Sequence, residues 1–282
     1  MKFKILLVSF FAFISVVTVN AQKSCCVSPS ASNSTPETLA SNSAFQAAHK
    51  APAPMVLSPQ HGTTISFPTA SGKSGSAYYI HSARPTNNVL LVFHEWWGLN
   101  DYIRKESEMW QHELGDVEVY AIDLYDGKVA TTAEDAGKLM SQMSAERASE
   151  IISGVLAKIG SGKNIMTLGW CMGGSWSFQA ALLAGKDAKA CVMYYGFPEE
   201  DQSKINNLKC DVLYIYGTKD TFITSDKVDS FDKKVVAAGR NFTRVNYDAV
   251  HAFANPSNPD FDKTNAEDAR AKALAFLKKT KG

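Results

Sequence analysis

From residue 76 onward the chain alternates between two textures. Short apolar runs, many of them β-branched, stand at 89–93 (VLLVF), 118–124 (EVYAIDL), 165–169 (IMTLG), 190–195 (ACVMYY), 212–216 (VLYIY) and 242–247 (FTRVNY). Runs this short and this continuous predict strands buried on both faces, as in a parallel sheet. Between them, residues 101–114, 133–159, 175–184, 225–238 and 266–278 read as helices. The alternation predicts βαβ units and hence an α/β fold, a mostly parallel central sheet with helices on both faces. The segment SAYYI (76–80) is expected to add an early antiparallel edge strand. In such sheets ligands bind beyond the C-terminal strand ends, so the residues there are the ones to inspect.

Ahead of residue 76 this pattern fails. Residues 22–75 are rich in Ser, Ala, Pro, Thr and Asn, and 28–43 (SPSASNSTPETLASNS) has too few apolar side chains to offset chain ordering. The stretch is therefore expected to be a flexible, low-complexity tether. Residues 1–21 differ again: Lys2 and Lys4, an apolar run over 5–19, and a small-residue exit at Ala21 predict a secretory signal peptide cleaved after Ala21. That run is shorter than the roughly 20 residues of a bilayer span. The expectation is a periplasmic or secreted protein with no membrane span once cleaved, and 76–282 as its folded domain.

Composition adds two constraints. Hydrophobic residues at 45% leave room for a sizeable core, and 29 Lys and Arg against 28 Asp and Glu provide no basic field for nucleic acid. The expected partner is a small molecule, and the expected state a monomer. The cysteines are Cys25, Cys26, Cys171, Cys191 and Cys210, an odd set, so at least one thiol is unpaired or links two chains. Cys191 opens one strand and Cys210 precedes the next, so the two could bridge or could equally be buried thiols.

The strand ends carry the chemistry. After the 165–169 run comes Gly169-Trp170-Cys171-Met172-Gly173-Gly174 and then a helix, which is the G-x-C-x-G nucleophile elbow in strand–turn–helix context. The turn is so tight that a side chain two residues either side of the nucleophile would collide with its neighbours. Asp220 follows the 212–216 run and His251 follows 242–247, giving the order nucleophile, acid, histidine of α/β-hydrolases. His251 is the expected base and Asp220 the group that fixes its tautomer. Asp248 competes as the acid, but lies too near His251 in sequence. Glu95 ends the first core strand, and the backbone N–H groups of Trp96 and Met172 are the expected oxyanion donors. The pair His94-Glu95 suggests zinc, yet Gly98 stands where H-E-x-x-H needs its second histidine, and no other ligand cluster is evident. Neither metal nor cofactor is expected. Trp97, Trp176, Phe222 and Phe253 are the candidate pocket lining.

Together, HEWWGLNDYIR (94–104), AIDLYDG (121–127), GWCMGG (169–174), YGTKD (216–220) and HAF (251–253) resemble the dienelactone hydrolase family, in its order and over roughly residues 76–282. The resemblance implies an α/β-hydrolase that cleaves small esters or lactones through a thioester on Cys171. It also implies that Glu95 influences whether Cys171 is thiol or thiolate. One departure bears on substrate. The family holds an anionic lactone with arginines, one of them shortly after the triad histidine, and here Asn255 occupies that place. Arg104 and Lys219 are the cations left to substitute for it. A broader carboxylesterase on the same triad, or a non-catalytic exported binding or redox module, are the competing readings.

Overall fold

The computed structural model of the protein describes residues 36–281, so the expected signal peptide, Cys25 and Cys26 lie outside the described residues. An eight-stranded sheet forms the centre. Its strands are β1 (Thr63–Pro68), β2 (Ser74–Ile80), β3 (Asn88–Phe93), β4 (Glu118–Asp123), β5 (Asn164–Trp170), β6 (Ala188–Tyr194), β7 (Asp211–Gly217) and β8 (Phe242–Tyr247), in the order β1-β2-β4-β3-β5-β6-β7-β8. β1 and β2 run antiparallel, and β4 through β8 are joined by parallel pairs. Every residue of β3 is buried, as a strand covered on both faces requires, whereas β1 and β8 at the edges are half exposed.

Helices α1 (Pro36–Ala40), α2 (Ser43–Ala48), α3 (Asp101–Leu114), α4 (Ala133–Gln142), α5 (Ala145–Ile159), α6 (Met172–Ala184), α7 (Gln202–Ile205), α8 (Ser225–Ala237) and α9 (Lys263–Thr280), with a short 3-10 helix at Gly185–Asp187, complete the described elements. On one face α5 packs on α6, and Phe178 of α6 meets Phe231 of α8 at 5.1 Å. On the other, α3 packs on α9, where Arg270 pairs with Glu106 and Glu113 and lies over the Trp110 ring.

Three sequence expectations are corrected. The single helix expected over 133–159 is two, because Met143 is extended and Ser144 starts a new helix by accepting the Arg147 N–H at 3.1 Å. SAYYI belongs to an antiparallel strand, but β1 lies outside it and is the edge.

The third correction is the largest. Within the expected tether, residues 36–75 are built into the fold. Leu39, Ala40 and Phe45 are buried, and Asn42 caps α2 by accepting the N–H groups of Ala44 and Phe45. α1 lies so close to α4 that a Cβ on Gly137 would stand 2.6 Å from the Ala40 carbonyl. Beyond α2 the chain runs along α3, held by Leu57 N–H on Asp101, His61 N–H on Glu108 and the Tyr102 hydroxyl on the Ala53 carbonyl. Average composition hid this docking, because a few well-placed apolar side chains suffice; burying Phe45 alone contributes about 1.5–3 kcal/mol.

Candidate active site

The elbow has the geometry its glycines demand. Cys171 sits between β5 and α6 with φ of 53°, a strained value for a residue with a side chain, and its N–H donates to the Tyr194 carbonyl at 2.9 Å. A Cβ on Gly169 would lie 2.1 Å from the Gly173 carbonyl oxygen, and one on Gly173 would lie 2.3 Å from those of both Phe93 and His94. Only glycine lets the turn close this far.

The loops after β7 and β8 deliver the other two groups. His251 Nε2 stands 3.2 Å from Cys171 Sγ, and Nδ1 stands 2.7 Å from Asp220 Oδ2. The second oxygen of Asp220 accepts the N–H groups of Phe222 and Ile223 at 2.8 and 2.9 Å, so the carboxylate is held from both sides. All three residues are buried. Burial opposes charge on His251, but the Asp220 carboxylate and the Cys171 sulfur outweigh it and raise the imidazole pKa above its ordinary value. Asp248, the competing acid, is exposed and paired with Lys219.

Glu95 is fully buried at the end of β3. Its Oε2 accepts the Trp97 N–H at 2.6 Å, and Oε1 meets the Ser257 hydroxyl at 2.7 Å. The same hydroxyl lies 2.9 Å from Asn255 Oδ1. This relay suits both states of the acid: ionised Glu95 accepts from Ser257, and protonated Glu95 donates to Ser257, which then donates to Asn255. Burial raises the Glu95 pKa to about 7 against these hydrogen bonds. Its hydrogen bonds run to Trp97 and Ser257, while the hydrogen-bond partner of the Cys171 sulfur is His251. His94 uses both ring nitrogens structurally, donating from Nδ1 to the Glu95 carbonyl and accepting the Leu124 N–H at Nε2.

The pocket residues divide. The Phe222 ring meets His251 at 5.8 Å, while Phe253 turns toward Tyr195 and Tyr247. Trp97 is buried beside Trp96, and Trp176 is half-buried on α6. Arg104 pairs with Asp101 and lies over Tyr78, and Lys219 pairs with Asp248, so both cations weighed against Asn255 are engaged elsewhere. Cys191 and Cys210 are free thiols rather than a disulfide. Cys191 is in register with Val212, two residues past Cys210, and its sulfur faces Ser177 of α6 at 3.6 Å.

Two further residues enter from the N-terminal arm, where sequence reading saw none. Phe45 is fully buried, with its ring 5.8 Å from His251, 5.3 Å from Trp96 and 5.0 Å from Phe222. His49, just after α2, lies 5.3 Å from His251 and 4.8 Å from Trp96 by ring centroids. Burial and the neighbouring His251 imidazole lower its pKa to about 3, so it is neutral at physiological pH. The one local signal was Asn42 as a helix cap ahead of Ser43–Ala48. The expectation of no metal-ligand cluster also needs correcting: donor atoms of His49, Cys171 and His251 lie within 4.8 Å of one another, a convergence no sequence spacing could reveal.

Comparison with known proteins follows the same outline. The model of the dienelactone hydrolase family matches residues 76–281. Protein usf of Aquifex pyrophilus is 31% identical over 211 residues, covering 71% of this chain and 91% of its own. A carboxymethylenebutenolidase of Pseudomonas sp. (strain P51) is 30% identical over 118 residues, covering 42% of this chain and 48% of its own. Among solved structures, a dienelactone hydrolase-like promiscuous phosphotriesterase from metagenomic libraries superposes with a TM-score of 0.66 at 15% identity, covering 79% of this chain and all of that one. That likeness is one of fold. Residues 36–75, which place Phe45 and His49, precede the matched region.

Proposed function

Because the chain belongs to the dienelactone hydrolase family, we propose that it is a carboxylic ester hydrolase that cleaves small esters or lactones with a Cys171–His251–Asp220 triad. The observation that carries this reading is the continuous hydrogen-bonded path from Asp220 through His251 to the Cys171 sulfur.

In this mechanism the Cys171 thiol gives its proton to His251 Nε2, and the sulfur attacks the ester carbonyl. The Met172 and Trp96 N–H groups receive the developing oxyanion, with the N-terminus of α6 adding its favourable dipole. His251 protonates the departing alcohol and then takes a proton from water as that water cleaves the thioester. Asp220 keeps Nδ1–H facing away from the reaction and supports the imidazolium. Glu95, poised to change protonation near neutral pH, is the carboxyl that the family resemblance links to the thiol or thiolate state of Cys171. No cofactor is required for these steps.

The substrate reading favours neutral esters. An aromatic surround of Trp96, Phe222 and Phe45, with Asn255 where the family places an arginine, supplies apolar contact and no guanidinium fork. This supports a broader carboxylesterase over a hydrolase restricted to carboxylate-bearing lactones. We also propose export, on the strength of residues 1–21; N-terminal sequencing of the mature protein should read from Gln22.

The deciding experiment compares p-nitrophenyl acetate hydrolysis by the wild type with that by Cys171→Ala. A loss of about 10³-fold or more is expected. Equal rates would end the proposal and leave the reading of a non-catalytic module. A parallel panel of neutral and carboxylate-bearing esters tests the substrate preference.

A further inference from the structure

Three side chains with metal-ligand chemistry converge at one buried point, and one of them comes from outside the family-matched region. We infer that His49, Cys171 and His251 form a binding site for a thiophilic divalent cation, with zinc the best fit, and that occupancy reversibly silences the nucleophile.

The donor set comes first. One thiolate and two imidazoles match zinc in both softness and count, leaving a fourth position for water or another small ligand. Zinc bonds of about 2.3 Å to sulfur and 2.0–2.1 Å to nitrogen put tetrahedral donors about 3.3–3.7 Å apart. The edge from Cys171 Sγ to His251 Nε2, at 3.2 Å, is already close to this. The trio as a whole spans no more than 4.8 Å, so closing it to tetrahedral spacing takes an approach of at most about 1.5 Å. His49 caps the C-terminal end of the short helix α2.

An independent observation concerns the orientation of His49. Its Nδ1 stands 2.7 Å from the Phe45 carbonyl, which can only accept, so Nδ1 carries the proton and Nε2 the lone pair. Nε2 is buried and has no hydrogen-bond partner among the described residues. An unpaired acceptor in such a place is costly unless something fills it. A carbonyl on the far nitrogen is also the arrangement that orients metal-binding histidines. His251 has the equivalent support from the Asp220 carboxylate. The charges balance as well: the thiolate and Asp220 offset a divalent ion in a site otherwise lined by Phe45, Trp96 and Phe222.

Two consequences follow. A metal held by Cys171 and His251 occupies the nucleophile and its base together. A metal that also requires His49 pins the N-terminal arm over the site.

The test is direct binding, which does not depend on hydrolase activity. Full-length protein, with Cys25→Ser and Cys26→Ser to remove the thiols upstream of the arm, is titrated with Co²⁺ and followed by absorption. Zinc affinity is measured by competition with a chromophoric chelator. The expected result is one ion per chain, intense visible bands of tetrahedral cobalt and a thiolate charge-transfer band that Cys171→Ala removes. His49→Ala should weaken zinc binding about 10–100-fold and diminish the tetrahedral bands, with folding checked by circular dichroism, while His81→Ala on the surface should do neither. Zinc affinity and cobalt spectra unchanged by His49→Ala, or a weak octahedral spectrum in the unsubstituted site, would overturn the inference. Binding without esterase activity would leave it standing and count against the proposed function instead.

Discussion

The Phe45 ring lies 5.8 Å from that of His251, so a residue of the N-terminal arm covers the imidazole that partners Cys171. Cys171 is 1% exposed under this cover. A reagent can reach the sulfur only when the arm lifts or the surrounding rings part.

Phe45→Ala should therefore loosen the arm. Removing a buried phenyl group costs about 3–5 kcal/mol in a rigid core, but here the loss is limited to the energy that docks the arm. Iodoacetamide should modify Cys171 at least about tenfold faster in the variant, with little change in the main melting transition. Modification at the wild-type rate would mean that the arm does not control access.

Asp220→Asn should keep the fold and lose turnover. The asparagine Oδ1 can still accept the Phe222 and Ile223 N–H groups, so the turn after β7 survives. The group facing His251 Nδ1 becomes a donor or a neutral acceptor, and the tautomer is no longer enforced. Ester hydrolysis should fall by up to about 10⁴-fold with the circular dichroism spectrum unchanged. A fall below tenfold would remove Asp220 from the triad.

Glu95 gives a pH signature. Its folded pKa of about 7 lies above the ordinary 4.5, so between those values the folded protein holds a proton that the unfolded chain has lost. Stability from this group therefore declines as pH rises through that window, by about 3 kcal/mol at most. Glu95→Gln abolishes the titration. The variant's melting temperature, relative to wild type, should accordingly be higher at pH 8 than at pH 4.5, whatever constant cost the amide adds. A pH-independent difference would show that the carboxyl is not held neutral by burial.

The elbow glycine can be tested against a glycine in open space. Gly173→Ala puts a methyl group 2.3 Å from two backbone carbonyls that cannot swing aside, and should cost about 3 kcal/mol or more. Gly72→Ala meets nothing within 4 Å and is opposed only by its φ of +80°, a cost of about 1 kcal/mol. Denaturant melts of the two variants should differ clearly, and equal values would contradict the close packing of β3, β5 and α6.

The parallel strands were legible because each is buried on both faces and so is written as an unbroken apolar run. β3 is the clearest case, with all six residues buried. Helix α3 was legible to both ends for a local reason: Asn100 caps its start and Gly115, with φ of 77°, ends it. The break at Ser144 went unread because an apolar stripe continues across it, and only the backbone of Met143 and Ser144 interrupts the helix.

At the site, the sequence by itself determined the elbow and the order of Cys171, Asp220 and His251, since a strand end followed by a tight turn is a local property of the chain. The contribution of the arm was decided only in three dimensions. Phe45 and His49 stand in a Ser- and Ala-rich stretch whose average composition is that of a linker, and their importance comes from what they touch: His251, Trp96 and Phe222, residues some 50 to 200 positions away. The choice between a disulfide and two free thiols at Cys191 and Cys210, which the sequence left open, was also made there, in favour of the thiols. Spacing along a chain constrains which strands are neighbours, but the register between them and the direction of each side chain are set by the packing of the whole sheet.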